Sequence, residues 1–325
     1  MYNDIIKKIK EYDNICLFVH NSMDGDTLGS AVAFAIALHK MGKTPVVITE
    51  ENIPRNLDIM PGRQFVLDIR KLEQELKTEG KLAIAVDTAD PKMFGKRESI
   101  FYSFEFTINI DHHVTNKRYG DINLIETGFG ATAEVIYFII KELNQDFDKD
   151  IAECLYTGIC TDTGGFKFRN TNSQSHLIVS ELLIFDLDVA KMHFRFFEAN
   201  TISKIKISGY VSASMKFYYN GKVALAVIPV EVFEEFGGTD EDSDGLVNIG
   251  RSVLGVEISI LVREIKKGFC KVSFRSTGEV DVSAIAEKFD GGGHRSASGC
   301  SINEDINDVE DLLLKSVDGV MRAAL

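Results

Sequence analysis

A series of short apolar segments, each followed by a polar turn, constrains the fold of this chain more than any other feature of its sequence. The segments are ICLFV (15–19), PVVIT (45–49), KLAIAV (81–86) and FTINI (106–110). Apolar runs of this length are typical of strands that are covered on both faces. A helical pattern at 27–41 follows the first segment and stops at Gly42. Strands that alternate with helices predict an α/β domain, with a parallel sheet and helices on both faces.

Acidic and histidine side chains stand directly after three of these segments. They are His20, Asp24 and Asp26 in HNSMDGD, Asp87 in VDTADP, and the triplet Asp111, His112 and His113. Ligands of an open parallel sheet bind at the carboxyl ends of its strands, so these turns are expected to converge in one crevice. Asp162 is a further candidate and follows a helical segment, IAECLYTGIC.

The mixture of carboxylate and imidazole groups in these turns suits divalent cations such as Mn²⁺. Two cations about 3.5–4 Å apart can clamp a phosphoryl group, with a hydroxide between them as the nucleophile. The residues that the sequence offers for such a site are His20, Asp24, Asp26, Asp87, Asp111, His112 and Asp162. Two adjacent histidines after a strand point to different sides, so that one can ligate a metal while the other reaches the substrate.

Each of these turns also has a purely structural interpretation. Asp24 or Asp26 could cap the helix that begins near Thr27, because aspartate is a preferred N-cap residue. Asp87 could form a local turn at the end of its strand. The sequence alone leaves these alternatives open for each turn taken singly.

The pattern of the chain changes after Phe217 to short alternating strands, KVALAVIPV, VEISILVREI and GFCKVSFRS. A final amphipathic helix is predicted at about 307–324. These patterns predict a catalytic domain at 1–190, a helical connector at 191–215 and a smaller α+β domain at 216–325, with the active site in the cleft between the two domains.

A glycine-rich turn in the second domain is the candidate anion-binding element. Consecutive glycines in DGGGH (290–294) let backbone N–H groups approach an anion closely, and Arg275 can form paired hydrogen bonds to a phosphate. Most glycine-rich turns are only turns, which is the structural alternative here.

Charge and cysteine content limit the partners and the compartment. The net charge of -13 argues against long double-stranded nucleic acid, which needs a large basic face, although surface carboxylates that maintain solubility would also explain it. The five cysteines form no CxxC pair and are expected to be reduced in a cytoplasmic protein. No apolar run approaches the ~20 residues that a membrane span needs, and the charged N-terminal segment lacks a signal-peptide core.

The motifs together resemble those of the DHH phosphoesterase superfamily, named for the triplet that stands here as Asp111-His112-His113. HNSMDGD, VDTAD, NIDHH and YTGICTDTGGF look like its first four motifs. SFRS (273–276) and FDGGGH (289–294) look like the DHHA1 domain that accompanies them. The resemblance covers nearly the whole chain, whose order and length are similar to those of the bifunctional nanoRNA exonuclease and pAp phosphatase group.

The resemblance implies roles for individual residues. One metal ion would be held by His20, Asp24 and Asp87, and the other by Asp26, Asp87, His112 and Asp162. Asp111 and His113 would be the catalytic residues, with Asp111 close to the metals and His113 facing the scissile phosphate. The substrate would be bound in the DHHA1 domain by Arg275, Ser276, Gly292, Gly293 and His294.

The activity that the resemblance implies is hydrolysis of short oligoribonucleotides to mononucleotides, and of 3′-phosphoadenosine 5′-phosphate (pAp) to AMP. Attack by a hydroxide activated by two divalent cations would drive both reactions. Imidazole at both ions favours Mn²⁺ over Mg²⁺, and Co²⁺ is also compatible. A phosphodiesterase of pApA or cyclic di-AMP, and a nucleotide-binding sensor without turnover, are the alternatives. The resemblance also leaves a homodimer open.

Overall fold

The computed structural model describes residues 2–72, 77–277 and 280–323. The chain forms two compact units, Met1–Ala199 and Asn200–Leu325. The order of apolar segments along the sequence predicted a parallel α/β domain followed by a smaller α+β domain. The described residues confirm both architectures.

The first unit is built on a six-stranded sheet in which every neighbouring pair of strands is parallel. Its strands are β1 (Asn14–Phe18), β2 (Thr44–Thr49), β3 (Val66–Asp68), β4 (Lys81–Val86), β5 (Phe106–Asp111) and β6 (Ile122–Ile125). Their order across the sheet is β3-β2-β1-β4-β5-β6. The strand order reverses at β1, with β2 on one side and β4 on the other. Such a switch point is where open α/β sheets bind their ligands.

Helices lie on both faces of this sheet, most of them on one face and a short one on the other. They are α1 (Tyr2–Glu11), α2 (Gly25–Lys40), α3 (Glu98–Phe101), α4 (Thr132–Glu142), α5 (Lys149–Asp162), α6 (Ser173–Leu182) and α7 (Val189–His193). The side chain of Asp24 caps α2 by accepting a hydrogen bond from Thr27 N at 2.9 Å, and Gly42 follows the helix with a left-handed φ of 79°.

Alternate residues of β1 face two different apolar layers. Ile15 and Leu17 belong to the main core beneath α2, α4 and α5. Phe18 faces the opposite side, where its ring lies 5.2–5.6 Å from the rings of Phe94, Phe101 and Phe104. A 3₁₀ helix at Pro91–Arg97 and α3 supply this second layer. Burial on both faces explains why the strands are continuously apolar.

The second unit contains a mixed six-stranded sheet of order β11-β12-β10-β9-β8-β7. Its strands are β7 (Lys216–Tyr218), β8 (Val223–Ile228), β9 (Ile258–Lys266), β10 (Phe269–Ser276), β11 (Gly292–His294) and β12 (Ala297–Ile302). Its helices are α8 (Ile202–Ser214), α9 (Val230–Glu235), α10 (Asn248–Arg251), α11 (Ser283–Ala286) and α12 (Ile306–Ala323). Only the pair β8–β9 is parallel among the strand pairs of this sheet that the structure describes.

The segment predicted as a helical connector, 191–215, contains more than one element. A π-helical turn at Phe194–Glu198 follows α7, and α8 begins at Ile202. Ile207 and Val211 of α8 are fully buried in an apolar cluster of the second unit. The boundary between the two compact units lies at Ala199 and Asn200, ahead of α8.

All five cysteines are free and buried, in agreement with the expectation from their spacing. Within the described ranges, the chain has no helix with the length and apolar character that crossing a membrane requires.

Candidate metal centre

The polar turn after β1 places two carboxylates and one imidazole close together. Asp24 caps α2 through Oδ1, and its Oδ2 lies 4.0 Å from Nε2 of His20. The capping interpretation of Asp24 and a place in the cluster are therefore compatible. Nδ1 of His20 lies 2.7 Å from the carbonyl oxygen of Asn21. Because a carbonyl only accepts, Nδ1 carries a proton, while Nε2 lies 2.5 Å from the hydroxyl oxygen of Thr27.

Asp26 lies in the first turn of α2 and is almost completely buried. Its carboxylate accepts hydrogen bonds from the backbone N–H groups of Thr132 at 2.6 Å and Ala133 at 2.9 Å. These are the first N–H groups of α4, so the positive end of that helix stabilises the buried charge. Ser30 Oγ donates a third hydrogen bond at 3.0 Å.

Asp87 follows β4 directly and adopts a left-handed backbone conformation with φ of 56°. Its two carboxylate oxygens point in different directions. Oδ2 accepts from Thr27 Oγ1 at 2.6 Å and lies 3.9 Å from His20 Nε2. Oδ1 accepts from Thr132 Oγ1 at 2.7 Å and lies 3.8 Å from His112 Nε2. Asp87 thus stands between the two imidazoles.

The three residues at the end of β5, Asp111, His112 and His113, lie in three different environments. Asp111 is fully buried and accepts hydrogen bonds from the backbone of His112 at 2.8 Å and from Nδ1 of His113 at 2.7 Å. His112 Nδ1 lies 3.2 Å from the carbonyl oxygen of Phe129, which fixes the proton on Nδ1 and leaves a lone pair on Nε2. The side chain of His113 is 41% exposed, in contrast to the buried Asp111.

Asp162 is the last residue of α5 and completes the cluster from the helical side. Its Oδ2 lies 3.5 Å from His112 Nε2 and accepts a hydrogen bond from Asn170 Nδ2 at 3.0 Å. Asn170 also donates to the carbonyl oxygen of Gly130 at 2.8 Å, so it connects Asp162 to the loop before α4.

The ligand atoms of these side chains form three groups in which all the atoms lie within 4.8 Å of one another. The groups are His20 with Asp24 and Asp87, Asp26 with His112 and Asp162, and Asp87 with His112 and His113. Nε2 of His112 is buried and lacks a hydrogen-bond partner among the described residues, although three carboxylates surround it at 3.5–3.9 Å. A lone pair directed at carboxylates is repulsive unless a cation lies between them, so the donor set fits a divalent metal.

Crowding of carboxylates changes their proton affinity. Burial, together with the nearby charges of Asp26 and Asp24, raises the pKa of Asp87 well above its usual range. Burial also raises the pKa of Asp26, and burial with the charge of Asp26 raises the pKa of Asp162 to about 7. A bound cation would offset this repulsion and favour the ionised carboxylates.

Asp111 is the exception among the buried carboxylates. Burial by itself raises its pKa, but hydrogen bonds from His113 and Asn116 outweigh that effect and hold the pKa below its usual value. The same hydrogen bond to Asp111 raises the pKa of His113. The pair therefore holds a proton on the His113 ring beside an ionised Asp111.

Four residues that hold the cluster in place were not recognised from the sequence: Thr27, Asn116, Thr132 and Asn170. Their side chains donate hydrogen bonds to Asp87, Asp111, Asp87 and Asp162, respectively. Threonines and asparagines are common in turns and at helix starts, so their presence at these positions does not indicate a role in the site. The position of Asn116, three residues after His113 in a polar turn, is the only available sequence cue.

The predicted substrate-binding residues all lie around β10 and β11 of the second unit. Arg275 is half-buried and extends from the face of β10 opposite to the buried Phe274 and Ser276. Ser276 turns its hydroxyl inward, where it donates to the carbonyl oxygen of Val280 at 2.8 Å. Gly292 has open space on its Cβ side, whereas a Cβ on Gly293 would lie 2.6 Å from the carbonyl oxygen of Ala297. The backbone of His294 belongs to β11, and its side chain lies outside the described part of the chain.

The fold and the cluster together define an α/β protein with a carboxylate- and histidine-rich candidate metal centre at the carboxyl ends of its parallel strands. Residues 14–159 match the N-terminal domain of the DHH family, and residues 220–323 match the DHHA1 domain. The chain belongs to the DHH family, with a DHHA1 domain as its second unit. DHH-family phosphoesterases are metal-dependent.

Several relatives are similar to this chain over most of their length. It is 32% identical over 306 residues to the bifunctional oligoribonuclease and PAP phosphatase NrnA of Thermus thermophilus, covering 93% of this chain and 89% of that protein. It is 28% identical over 305 residues to the protein of the same name from Bacillus subtilis, covering 93% of each. The crystal structure of an exopolyphosphatase-related protein from Bacteroides fragilis superimposes with a TM-score of 0.92 at 28% identity, covering 98% of this chain and 95% of that one.

Proposed function

We propose that this protein is a metal-dependent phosphoesterase that hydrolyses short oligoribonucleotides to mononucleotides and pAp to AMP. The observation that carries the proposal is the unpartnered, buried Nε2 of His112 facing Asp26, Asp87 and Asp162. The names of the relatives, oligoribonuclease and PAP phosphatase, support the choice of substrates.

Two cations held by the cluster would polarise phosphoryl oxygens and activate water for attack. His20, Asp24 and Asp87 are the proposed ligands of one ion, and Asp26, Asp87, His112 and Asp162 of the other. The Thr27 and Thr132 hydroxyls orient the two oxygens of Asp87 between the two groups. Nδ1 of His20 and of His112 each donates a hydrogen bond to a carbonyl oxygen, which directs Nε2 of both rings into the cluster. Nε2 of His20 also contacts the Thr27 hydroxyl there, at 2.5 Å.

His113 is the proposed catalytic residue that contacts the phosphoryl group. Asp111 accepts a hydrogen bond from Nδ1 of His113 and fixes the ring, while Nε2 of this partly exposed side chain can donate to a phosphoryl or leaving oxygen. Because the hydrogen bond to Asp111 favours the protonated ring, this donor persists to a higher pH than in an isolated histidine.

Imidazole in both ligand groups favours Mn²⁺ over Mg²⁺, with Co²⁺ compatible. We propose that the DHHA1 unit binds the part of the substrate that the metal centre does not hold, through Arg275, the glycines of β11 and His294. The free, buried cysteines support a cytoplasmic protein. We propose neither a membrane nor long double-stranded nucleic acid as a partner. The proposal is compatible with a homodimer.

A panel of substrates tests this function in the presence of Mn²⁺. The panel compares a 5′-labelled RNA dimer, trimer and 24-mer with pAp, pApA and cyclic di-AMP. Rapid cleavage of the short RNAs and of pAp, with the 24-mer spared, is the expected result. A strong preference for pApA or cyclic di-AMP would instead indicate a phosphodiesterase of signalling nucleotides.

A histidine variant distinguishes the metal centre from an unrelated contaminating activity. His112→Gln should abolish hydrolysis, whereas His39→Gln, at an exposed position near the end of α2, should not change it. Activity that survives His112→Gln contradicts the proposed ligand set. Binding of the nucleotides without hydrolysis in any divalent metal would favour a sensor.

A further inference from the structure

The turn between the proposed ligands His20 and Asp24 has an uncommon backbone conformation. Ser22, at its centre, is left-handed with φ of 59°, a conformation that residues other than glycine rarely adopt. Such a conformation persists only where the surrounding structure holds it in place. The carbonyl oxygen of Asn21, the residue before Ser22, lies 2.7 Å from Nδ1 of His20. The orientation of the His20 ring therefore depends on how Asn21 is held.

Arg97 and its helix hold Asn21 by both the side chain and the backbone. Nη2 of Arg97 donates to Oδ1 of Asn21, and Nη1 donates to the carbonyl oxygen of Ile48 on β2, each at 2.6 Å. The backbone N–H of Asn21 donates to the carbonyl oxygen of Met93 at 2.8 Å. Met93 and Arg97 both belong to the 3₁₀ helix at Pro91–Arg97. These contacts connect Asn21 to β2 and to that helix.

Gly95 lets this helix approach Asn21 closely. Its φ of 60° with ψ of -126° is a conformation accessible mainly to glycine. A Cβ there would lie 2.4 Å from Nδ2 of Asn21. Arg97 itself is completely buried, and its Nε lies 3.7 Å from Oε2 of Glu50. A guanidinium donates from several nitrogens in one plane, so Arg97 can hold Asn21 and Ile48 together, whereas a lysine ammonium has no such fork.

His20 belongs to one of the two proposed ligand groups and is absent from the other. In the other group, the carboxylate of Asp26 is held by backbone N–H groups at the start of α4, so a displacement of the His20 ring should weaken one ion and largely spare the other. We propose that Arg97, acting through Asn21, is a positioning residue that sets the affinity of the metal ion that His20 would bind. This inference rests on the proposed function and deepens it, because it assigns a role in metal binding to a residue outside the ligand set.

The test is Mn²⁺ binding, measured by isothermal titration calorimetry on metal-free protein at a temperature where every variant is folded. Wild type should bind two Mn²⁺ ions. Asn21→Leu and Arg97→Met should weaken one of them about 10- to 100-fold and change the other little, because loss of a contact that orients a metal ligand has an effect of that size. Equal affinities for both ions in wild type and Asn21→Leu would overturn the inference.

A further variant separates positioning from a general loss of stability. Phe104→Ala removes a buried ring from the apolar layer that also contains Phe94, and it should destabilise the first unit at least as much as Arg97→Met does. Because it leaves the contacts of Asn21 intact, it should keep both Mn²⁺ affinities of wild type. A loss of affinity in Phe104→Ala as large as in Asn21→Leu would show that destabilisation alone weakens binding, and would contradict the positioning role. Arg70→Met, which removes an exposed arginine, should behave as wild type.

A double-variant cycle tests whether Asn21 acts through His20. In a His20→Gln background, Asn21→Leu should weaken Mn²⁺ binding by much less than it does alone, because the ring that Asn21 orients is already absent. Independent, multiplicative losses would contradict the path through His20. Two tightly bound Mn²⁺ ions without hydrolysis of any substrate in the panel would contradict the proposed function but not this inference, whereas wild type that binds no Mn²⁺ would overturn both.

Discussion

Asn116 donates a hydrogen bond of 2.6 Å from its amide nitrogen to Oδ2 of Asp111, the carboxylate whose other oxygen accepts from His113. The same amide nitrogen donates to Oδ1 of Asn109 at 2.7 Å. Asp111 is therefore held on both sides, and the orientation of the His113 ring depends on a residue that does not itself approach the proposed ligands.

Asn116→Ala should lower kcat about 10- to 100-fold while leaving KM nearly unchanged, because residues that orient catalytic groups contribute on that scale. Asp111 would keep its charge but lose the contact that fixes its plane. The measurement is hydrolysis of bis(p-nitrophenyl) phosphate with Mn²⁺. The control is Asn56→Ala, at an exposed position in a 3₁₀ turn. Wild-type kcat in Asn116→Ala would show that Asp111 needs no such support.

Thr132→Val should weaken metal binding about 10- to 100-fold, because it removes the hydroxyl that orients Asp87 Oδ1 and leaves that buried oxygen without its donor. Activity measured across a Mn²⁺ titration gives the change in apparent affinity. Thr157→Val is the matched control, since Thr157 is equally buried but donates only to the carbonyl oxygen of Glu153 in its own helix. The same Mn²⁺ dependence in both variants would contradict the role of Thr132.

Arg97→Met should lower the free energy of unfolding by about 3 kcal/mol, because it leaves two acceptors, the carbonyl oxygen of Ile48 and Oδ1 of Asn21, without their donor. Arg97 is completely buried and donates to the carbonyl oxygen of Ile48 and to Oδ1 of Asn21, each at 2.6 Å. Urea unfolding measures the loss. Arg70→Met removes an exposed arginine paired with Asp68 and should cost less than about 1 kcal/mol. Equal losses of unfolding free energy in the two variants would contradict the stabilising role of the buried Arg97.

Gly29→Ala should destabilise the first unit by about 3 kcal/mol, because overpacking a closely packed helix contact has a cost of that size. A Cβ on Gly29 of α2 would lie 2.4 Å from the carbonyl oxygen of Cys154 on α5. Gly209→Ala in α8 is the counterpart, because its Cβ would meet no atom within 4 Å. That change should raise stability by up to about 1 kcal/mol through helix propensity. Thermal unfolding of the two variants should therefore shift in opposite directions.

Mn²⁺ should raise the thermal midpoint of protein prepared in EDTA, because a ligand that binds only the folded state adds about 2.7 kcal/mol at a concentration of 100 Kd. The crowded Asp26, Asp87 and Asp162 carboxylates repel one another until a cation is bound. Asp162→Asn should reduce the shift caused by Mn²⁺, whereas Asp311→Asn, at an exposed site on α12, should preserve it. A midpoint independent of Mn²⁺ in wild type would argue against a metal centre.

The sequence by itself determined the parallel sheet and the positions of His20, Asp87 and Asp111 at the ends of its strands. An apolar run and the polar turn that follows it are local features of the chain, and both can be read along the sequence. The tertiary structure alone decided what surrounds those residues. Thr132 donates its backbone N–H to Asp26 across 106 positions of sequence, and Gly250 of α10 lies so close to β9 that a Cβ on it would come within 2.4 Å of Ser259 Oγ. Hydrogen bonds and charges at such separations depend on how the elements pack, and no pattern along the chain encodes them.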